Sequence, residues 1–377
     1  MSWKIPLFKI YYDEQDIKNV TEVIKSGMNW ATGPNVQEFE KMLSDYTGME
    51  YSVVFNSGTS ALHAVLVACG IGEGDEVIIP SFTFIATANA PLFVGAIPIF
   101  ADIETDNYGL DPVDVERKIT SKTKAIMPVH YGGSPCLITE LQTIAERHNL
   151  MLIEDAAESL GASVDGKKVG SFGCANMYSF CAPKVITTGE GGAIVTNSRD
   201  IYEKLKLVRS HGRVETQDYF STSEYLEHVT LGFNFRMSNI TAALGIAQLG
   251  KIDKIIQMRR ENAAYMAQKL APIEQITLPA SADNFFHLYQ MYTIRVKGLK
   301  QQRDALMKHL GSNGIGTKVY FEPVHLTQFY REKFGYKGGV LPVTETLSQQ
   351  VLTLPMYPTL THDEMDYIAE VIIDFFS

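Results

Sequence analysis

The sequence predicts an α/β protein: a large three-layer αβα unit with a mostly parallel sheet over residues 1–250, including an N-terminal helical segment, and a smaller α+β unit over 251–377. Three observations carry this. Strand-like and helix-like runs alternate from Tyr51 to Asp155, as right-handed crossovers require, and such crossovers gather their turns along one sheet edge. Small and polar residues fill the turn that follows the first strand-like run, at Asn56 to Ser60, and Pro80 to Phe84 occupies the turn after the next. At 377 residues the chain also exceeds a typical single core, so a second, smaller unit is expected.

In order, Asp13 can cap a helix whose apolar residues Ile17, Val20 and Ile24 follow helical spacing until Gly27 stops it. A second amphipathic helix carries Val36, Phe39, Leu43 and Tyr46 after a turn-forming segment in which Trp30 is read as a packing residue. Tyr51 to Phe55 is a strand, and Leu62, Val65, Leu66 and Cys69 mark the helix after it. Strands at Glu76–Ile79, Ile97–Ala101, Ala125–Val129 and from Met151 alternate with helices at Ile85–Phe93, Pro112–Lys118 and Ile138–His148. Strands Met177–Phe180 and Ala193–Thr196 flank a turn that puts Lys184 on a loop. A helix over 199–210 precedes a polar, aromatic-rich connection to about Tyr225, read as a functional or interface loop. Helices over 241–248 and 255–270 lead into the smaller unit. There a strand at Met291–Val296, a helix at Arg303–Asn313, a strand-like run at Thr317–Phe321 and a final helix with a Thr361–Glu364 capping box are expected.

Charge and composition narrow the function. A net charge of −10 leaves no basic footprint for nucleic acid, and no Lys/Arg run suggests a membrane surface. Cys69, Cys136, Cys174 and Cys181 lack metal-site spacing and are too few for a disulfide framework. No run approaches transmembrane length, and the start has no secretory apolar core. A soluble, reducing, cytoplasmic setting is expected, with no metal.

Two residues focus the chemistry. Met151 to Glu154 reads as a buried strand ending at Asp155, and Lys184 leaves a later strand end on a loop. A lysine on a loop is commonly a solvated charge, but this pair suits pyridoxal phosphate: the amine forms a Schiff base with the aldehyde while the carboxylate keeps the pyridine nitrogen protonated. The helix start at Gly58 and Thr59 would offer unpaired amides to a phosphate, although the same residues also cap ordinary helices.

The run Glu154–Ala162 (E-D-A-A-E-S-L-G-A) followed by S-F-x-x-x-K-x-x-T-T-G-E-G-G from Ser179 resembles the DegT/DnrJ/StrS family of nucleotide-sugar aminotransferases. The resemblance extends from Leu7 to about Ile368. It implies a fold-type I, aspartate-aminotransferase-like architecture and a homodimer with shared active sites. It also implies transfer of an amino group from an amino acid, glutamate, to a nucleotide-linked keto-sugar. By resemblance, Lys184 holds the cofactor, Gly58, Thr59 and Ser179 bind its phosphate, Phe84 stacks on its ring and Asp155 meets the pyridine nitrogen. Asn234, in G-F-N-F-R-M, reaches the neighbouring subunit's cofactor phosphate. For Phe84 a core aromatic, and for Ser179 a strand serine bonded to backbone, remain open. His325 resembles a family position near the substrate, with a surface histidine as the equal alternative, and His130 is assigned to structure.

Glu158 stands where many relatives carry glutamine or histidine near the cofactor ring. Its charge calls for protonation or a partner, and its resemblance to members that aminate the fourth sugar carbon points to a 4-keto-6-deoxyhexose. Pro183, a second departure, restricts the backbone entering Lys184. The alternatives are a 3-keto-sugar aminotransferase, a deoxygenating relative (these carry histidine in place of the lysine) and a regulatory protein that keeps the fold.

Overall fold

The computed structural model describes residues 3–214, 222–223 and 225–377. Two helices open the chain, α1 (Glu14–Ser26) and α2 (Pro34–Thr47). A capping box between Asp13 and Asp16 starts α1, and Gly27, with φ 67°, stops it in the left-handed conformation that glycine adopts without strain. Its buried residues are Asp16 and Val23, whereas Ile17 and Ile24 of the expected apolar stripe are 49% and 47% exposed. The reason is polar: the Asp16 carboxylate takes hydrogen bonds from Gln248 and Lys251, and this pairing turns the helix.

The alternating region follows as β1 (Tyr51–Phe55), α3 (Gly58–Ala68), β2 (Glu76–Pro80), α4 (Ile85–Phe93), β3 (Ile97–Ala101), α5 (Pro112–Lys118), β4 (Thr123–Ile126), α6 (Ile138–Arg147) and β5 (Met151–Asp155). A short hairpin of β6 (Ser163–Val164) and β7 (Lys167–Lys168) precedes β8 (Ala175–Ser179) and β9 (Gly192–Thr196). One sheet results, in the order β1-β9-β8-β5-β4-β2-β3. Only β9 runs against the rest, since it pairs antiparallel with β1 and β8 while the other pairings are parallel. Helices cover both faces, so β1, β2 and β9 are buried almost along their length, as their β-branched and apolar composition requires. The β4 strand ends three residues before the expected Val129. Pro128 has no amide to continue the ladder, and its carbonyl instead accepts from Asp155.

The helices α7 (Arg199–Arg209), α8 (Asn239–Leu249) and α9 (Ile252–Leu270) lead to the C-terminal elements. These are β10 (Ile276–Thr277), β11 (Phe285–Phe286), β12 (Tyr292–Val296), α10 (Lys300–Ser312), α11 (Gln328–Phe334), α12 (Pro342–Gln350), β13 (Val351–Leu354) and α13 (His362–Phe376). A second sheet runs β10-β12-β13, and β11 joins β6 and β7 in a third. The expected strand at Thr317–Phe321 does not form. Within the run a single bridge joins Lys318 to Thr353, and the bridge of Ile315 to Ile5 from the N-terminus lies just before it. Part of the expected connection after residue 210, at 215–221 and 224, lies outside the described residues.

Val324, Tyr330 and Leu341 pack into the core beneath the large sheet although they follow residue 251. A cut at 251 would therefore strip that core of three buried side chains. Asp102, just past β3, fastens this segment. Its carboxylate accepts from the amides of Val343 and Thr344 and from the Thr344 hydroxyl, at 2.9, 2.8 and 2.8 Å, and so caps α12 from across the molecule. Asp102→Ala leaves buried amides unpaired and is expected to cost about 3 kcal/mol, whereas Thr344→Val loses one hydroxyl and about 1 kcal/mol. Urea unfolding midpoints of the two variants should rank in that order, and equal midpoints would remove Asp102 from the role of cap.

Candidate active site

Because every strand of the large sheet except β9 points the same way, the carboxyl ends of β1, β2, β5 and β8 meet at one edge. There they open into a cavity of about 380 Å³. Each strand contributes through the loop that follows it.

After β1, Ser57 caps α3 by accepting from the Ser60 amide at 3.0 Å. The amides of Gly58 and Thr59 have no partner among the described residues and face the cavity with the positive end of the helix. A Cβ at position 58 would lie 3.1 Å from Ser179 Cβ and 3.3 Å from Met177 Sδ, and one at 192 would lie 2.6 Å from Gly58 N. Glycine at both positions lets the helix start sit against the ends of β8 and β9, leaving a cradle bounded by two amides and the Ser179 hydroxyl.

After β2, Phe84 stands at the N-cap of α4, lines the cavity and is 61% exposed. It is not a core aromatic. One turn on, Thr87 donates to Asp155 Oδ2 at 2.8 Å and is itself bonded to Thr83 at 2.9 Å. These two threonines, four apart on one face, escaped the sequence reading, although their spacing at a helix start was visible.

Asp155 closes β5, 3% exposed, and accepts the Ala157 amide on Oδ1 at 3.1 Å. Burial raises its carboxyl above the usual carboxylate range, against the pull of the Thr87 hydroxyl, the Ala157 amide and the Lys184 charge. A cationic N–H arriving from the cavity would relieve that burial cost. In the same cavity the Lys184 ammonium lies 3.1 Å from Glu158 Oε1, and the other oxygen of Glu158 takes the Gly132 amide at 2.8 Å. The partner that the Glu158 charge called for is therefore Lys184 itself. Lys184 is held in a turn, its amide bonded to Cys181 O, and the preceding Pro183 carbonyl accepts from the Gln290 side chain. Pyridoxal phosphate fits this arrangement: an amine for its aldehyde, a buried carboxylate for its ring nitrogen, an exposed aromatic ring and an amide-rich cradle for its phosphate.

Two expected residues lie elsewhere. His325 is buried, with Nδ1 2.7 Å from Ser81 Oγ and Nε2 3.2 Å from Glu345, and it does not line the cavity. It is not at the surface, because the loop carrying it folds under the end of β2. Asn234 is exposed and outside the cavity of its own chain. His130 is buried, donating to Glu154 at 2.9 Å while its Nδ1 accepts from the Cys136 amide, which fits the structural assignment. Conversely Gln290, Lys318, Tyr320 and Phe321 line the cavity without having been singled out. They sit beyond the alternating region, where no local pattern signals a site.

A carboxyl that binds its proton more tightly in the folded than in the unfolded chain weakens the fold once ionised. The deficit is absent below the unfolded value near 3.8 and grows as pH rises through the higher folded value. Asp155→Asn should accordingly raise the thermal midpoint of cofactor-free protein near neutral pH and lose that advantage below about pH 3.8, while cofactor retention falls. A lowered midpoint at neutral pH would contradict the burial cost.

A family model described as the DegT/DnrJ/EryC1/StrS aminotransferase family matches residues 11–373. GDP-perosamine synthase of Caulobacter vibrioides is 40% identical over 344 residues, covering 91% of this chain and 90% of that protein. Among solved structures, PseC of Helicobacter pylori, an aminotransferase involved in pseudoaminic acid biosynthesis, is 30% identical with a TM-score of 0.92, covering 100% of this chain and 99% of that one. The PLP form of a putative sugar aminotransferase of Streptococcus pneumoniae is 27% identical with a TM-score of 0.91, and each chain is covered fully.

Proposed function

The chain belongs to the DegT/DnrJ/EryC1/StrS aminotransferase family, and on that premise we propose that it is a pyridoxal-phosphate-dependent enzyme moving an amino group from glutamate to a nucleotide-linked 4-keto-6-deoxyhexose. One observation carries the reading: a lysine amine and a buried carboxylate line one cavity, beside a helix start with free amides. The lysine also argues against the deoxygenating alternative. The relative named for a GDP-linked product supports a sugar nucleotide as acceptor, and Glu158 beside Lys184 supports the fourth carbon.

When bound, pyridoxal phosphate supplies an aldehyde for amino-group exchange and a ring that delocalises the electron pair left by proton removal. Lys184 Nζ then serves as the base that takes the proton from the donor's α-carbon and returns one in the second half-reaction. Glu158 steadies that amine through its ion pair, and its own orientation is set by Gly132. Asp155 holds a proton on the ring nitrogen, and the Thr87 hydroxyl keeps its carboxylate aimed. Gly58, Thr59 and Ser179 would hold the cofactor's phosphate, and the exposed ring of Phe84 would offer it an aromatic surface.

We further propose a two-fold dimer in which Asn234 completes the neighbouring site. Its exposure outside its own cavity supports this, as does the half-exposed apolar pair Ile17 and Ile24, which a partner chain would cover.

Three expected outcomes follow. Borohydride should fix the cofactor to the peptide bearing Lys184, and labelling of another lysine would sink the assignment. Mixing Asn234→Ala with Lys184→Ala protein should recover part of the activity, because one site in each heterodimer keeps both residues. No recovery with heterodimers present would assign each site to one chain. Enzyme loaded by glutamate should react with 4-keto nucleotide sugars; turnover only of 3-keto compounds would overturn the regiochemistry, and only of simple keto acids the sugar assignment.

A further inference from the structure

An acceptor with a diphosphate and a donor with carboxylates are both anions, yet the cavity is acidic. Asp155, Glu158 and Glu190 line it, in a chain of net charge −10. Two cationic side chains line it in return, Lys184 and Lys318. Lys184 is paired with Glu158 and is committed to the cofactor in the function proposed above. Lys318 is not committed: among the described residues no carboxylate lies within ion-pair distance of its ammonium, which sits 4.9 Å from the centroid of the Tyr320 ring. Its backbone, in contrast, is fixed. Lys318 N donates to Thr353 O at 3.2 Å and Thr353 N to Lys318 O at 2.8 Å, so the side chain springs from the edge of β13 and lines the same cavity as Lys184 and Asp155.

We propose, on the basis of that function, that Lys318 is the residue that reads the anionic group of the incoming substrate. Its ligand is an oxyanion, either a carboxylate of the amino donor or the diphosphate of the sugar nucleotide. A lysine suits the task because a flexible, strongly hydrated point charge can follow an oxyanion without a planar match. With acidic neighbours, removal of this one charge leaves the entering anion facing uncompensated carboxylates. A charge-assisted contact of this type changes binding by about tenfold to a hundredfold.

The test compares holoenzyme of wild type, Lys318→Met and Lys318→Arg, each first checked for an unchanged thermal midpoint. Calorimetry gives dissociation constants for GDP and for guanosine, which lacks the phosphates. Absorbance of the bound cofactor gives the glutamate concentration that half-saturates the first half-reaction. If the diphosphate is the ligand, Lys318→Met weakens GDP about tenfold or more, leaves guanosine unchanged and is rescued by arginine. If the donor carboxylate is the ligand, half-saturation by glutamate rises by that factor with little change in the limiting rate, and GDP is unaffected. If wild type binds both probes and Lys318→Met alters neither beyond about twofold, well short of the change a charged contact brings, the inference is overturned and the aminotransferase reading stands. Wild type that binds neither GDP nor glutamate overturns both.

Discussion

The carboxylate of Glu154, fully buried one residue before the end of β5, is the constraint on which the rest of the site depends. It accepts the amides of Gly170, Phe172 and Gly173 at 2.6, 2.7 and 2.8 Å and the His130 ring at 2.9 Å. A charge at that depth survives only when its lone pairs are taken, and here backbone amides take them. One residue later the strand alternates, so Asp155 turns to the opposite face and meets Thr87 instead. The two acids have opposite environments for this reason. Glu154 is saturated with donors and structural; Asp155 has fewer, faces the cavity and keeps capacity for a ligand.

The loop carrying Lys184 is held by comparable polar braces. Arg259 on α9 donates to the carbonyls of Gln290 and Met356, and Gln290 in turn reaches the Pro183 carbonyl beside Lys184. Asp102 and the Ser81–His325–Glu345 chain fasten the segment from Val324 to Gln350 under the sheet edge. The position of Lys184 relative to Asp155 therefore depends on contacts made by residues more than a hundred positions further along. The site also keeps a cost in reserve: an acid buried without a matching cation lowers the stability of the empty fold, and the same acid is what a protonated ring nitrogen would need.

Much of this was readable from local pattern. Five elements between Tyr51 and Lys118, namely β1, β2, α4, β3 and α5, fall within one residue of their expected bounds, because parallel strands buried on both faces must be continuously apolar and the connections between them are cut short by turn-forming residues. Asp155, Lys184 and Gly58 could be picked out because each ends or follows such a strand, whereas Phe84 stood out only through the family resemblance. Where side chains answer to distant partners, the reading failed. Polar pairing turned α1 so that Asp16, not Ile17, faces inward, and the run at Thr317–Phe321 makes one bridge, to Thr353, in place of a strand.

The sequence by itself determined the order of elements, the sheet that follows from it and the chemical types gathered at its carboxyl edge, since periodicity and turn chemistry are local properties. Only the tertiary structure decided which groups meet. It paired Glu158 with Lys184, withdrew His325 beneath the sheet and brought Gln290 and Lys318 to the wall. Those outcomes depend on contacts between segments far apart in the chain, and no pattern within either segment encodes the distance between them.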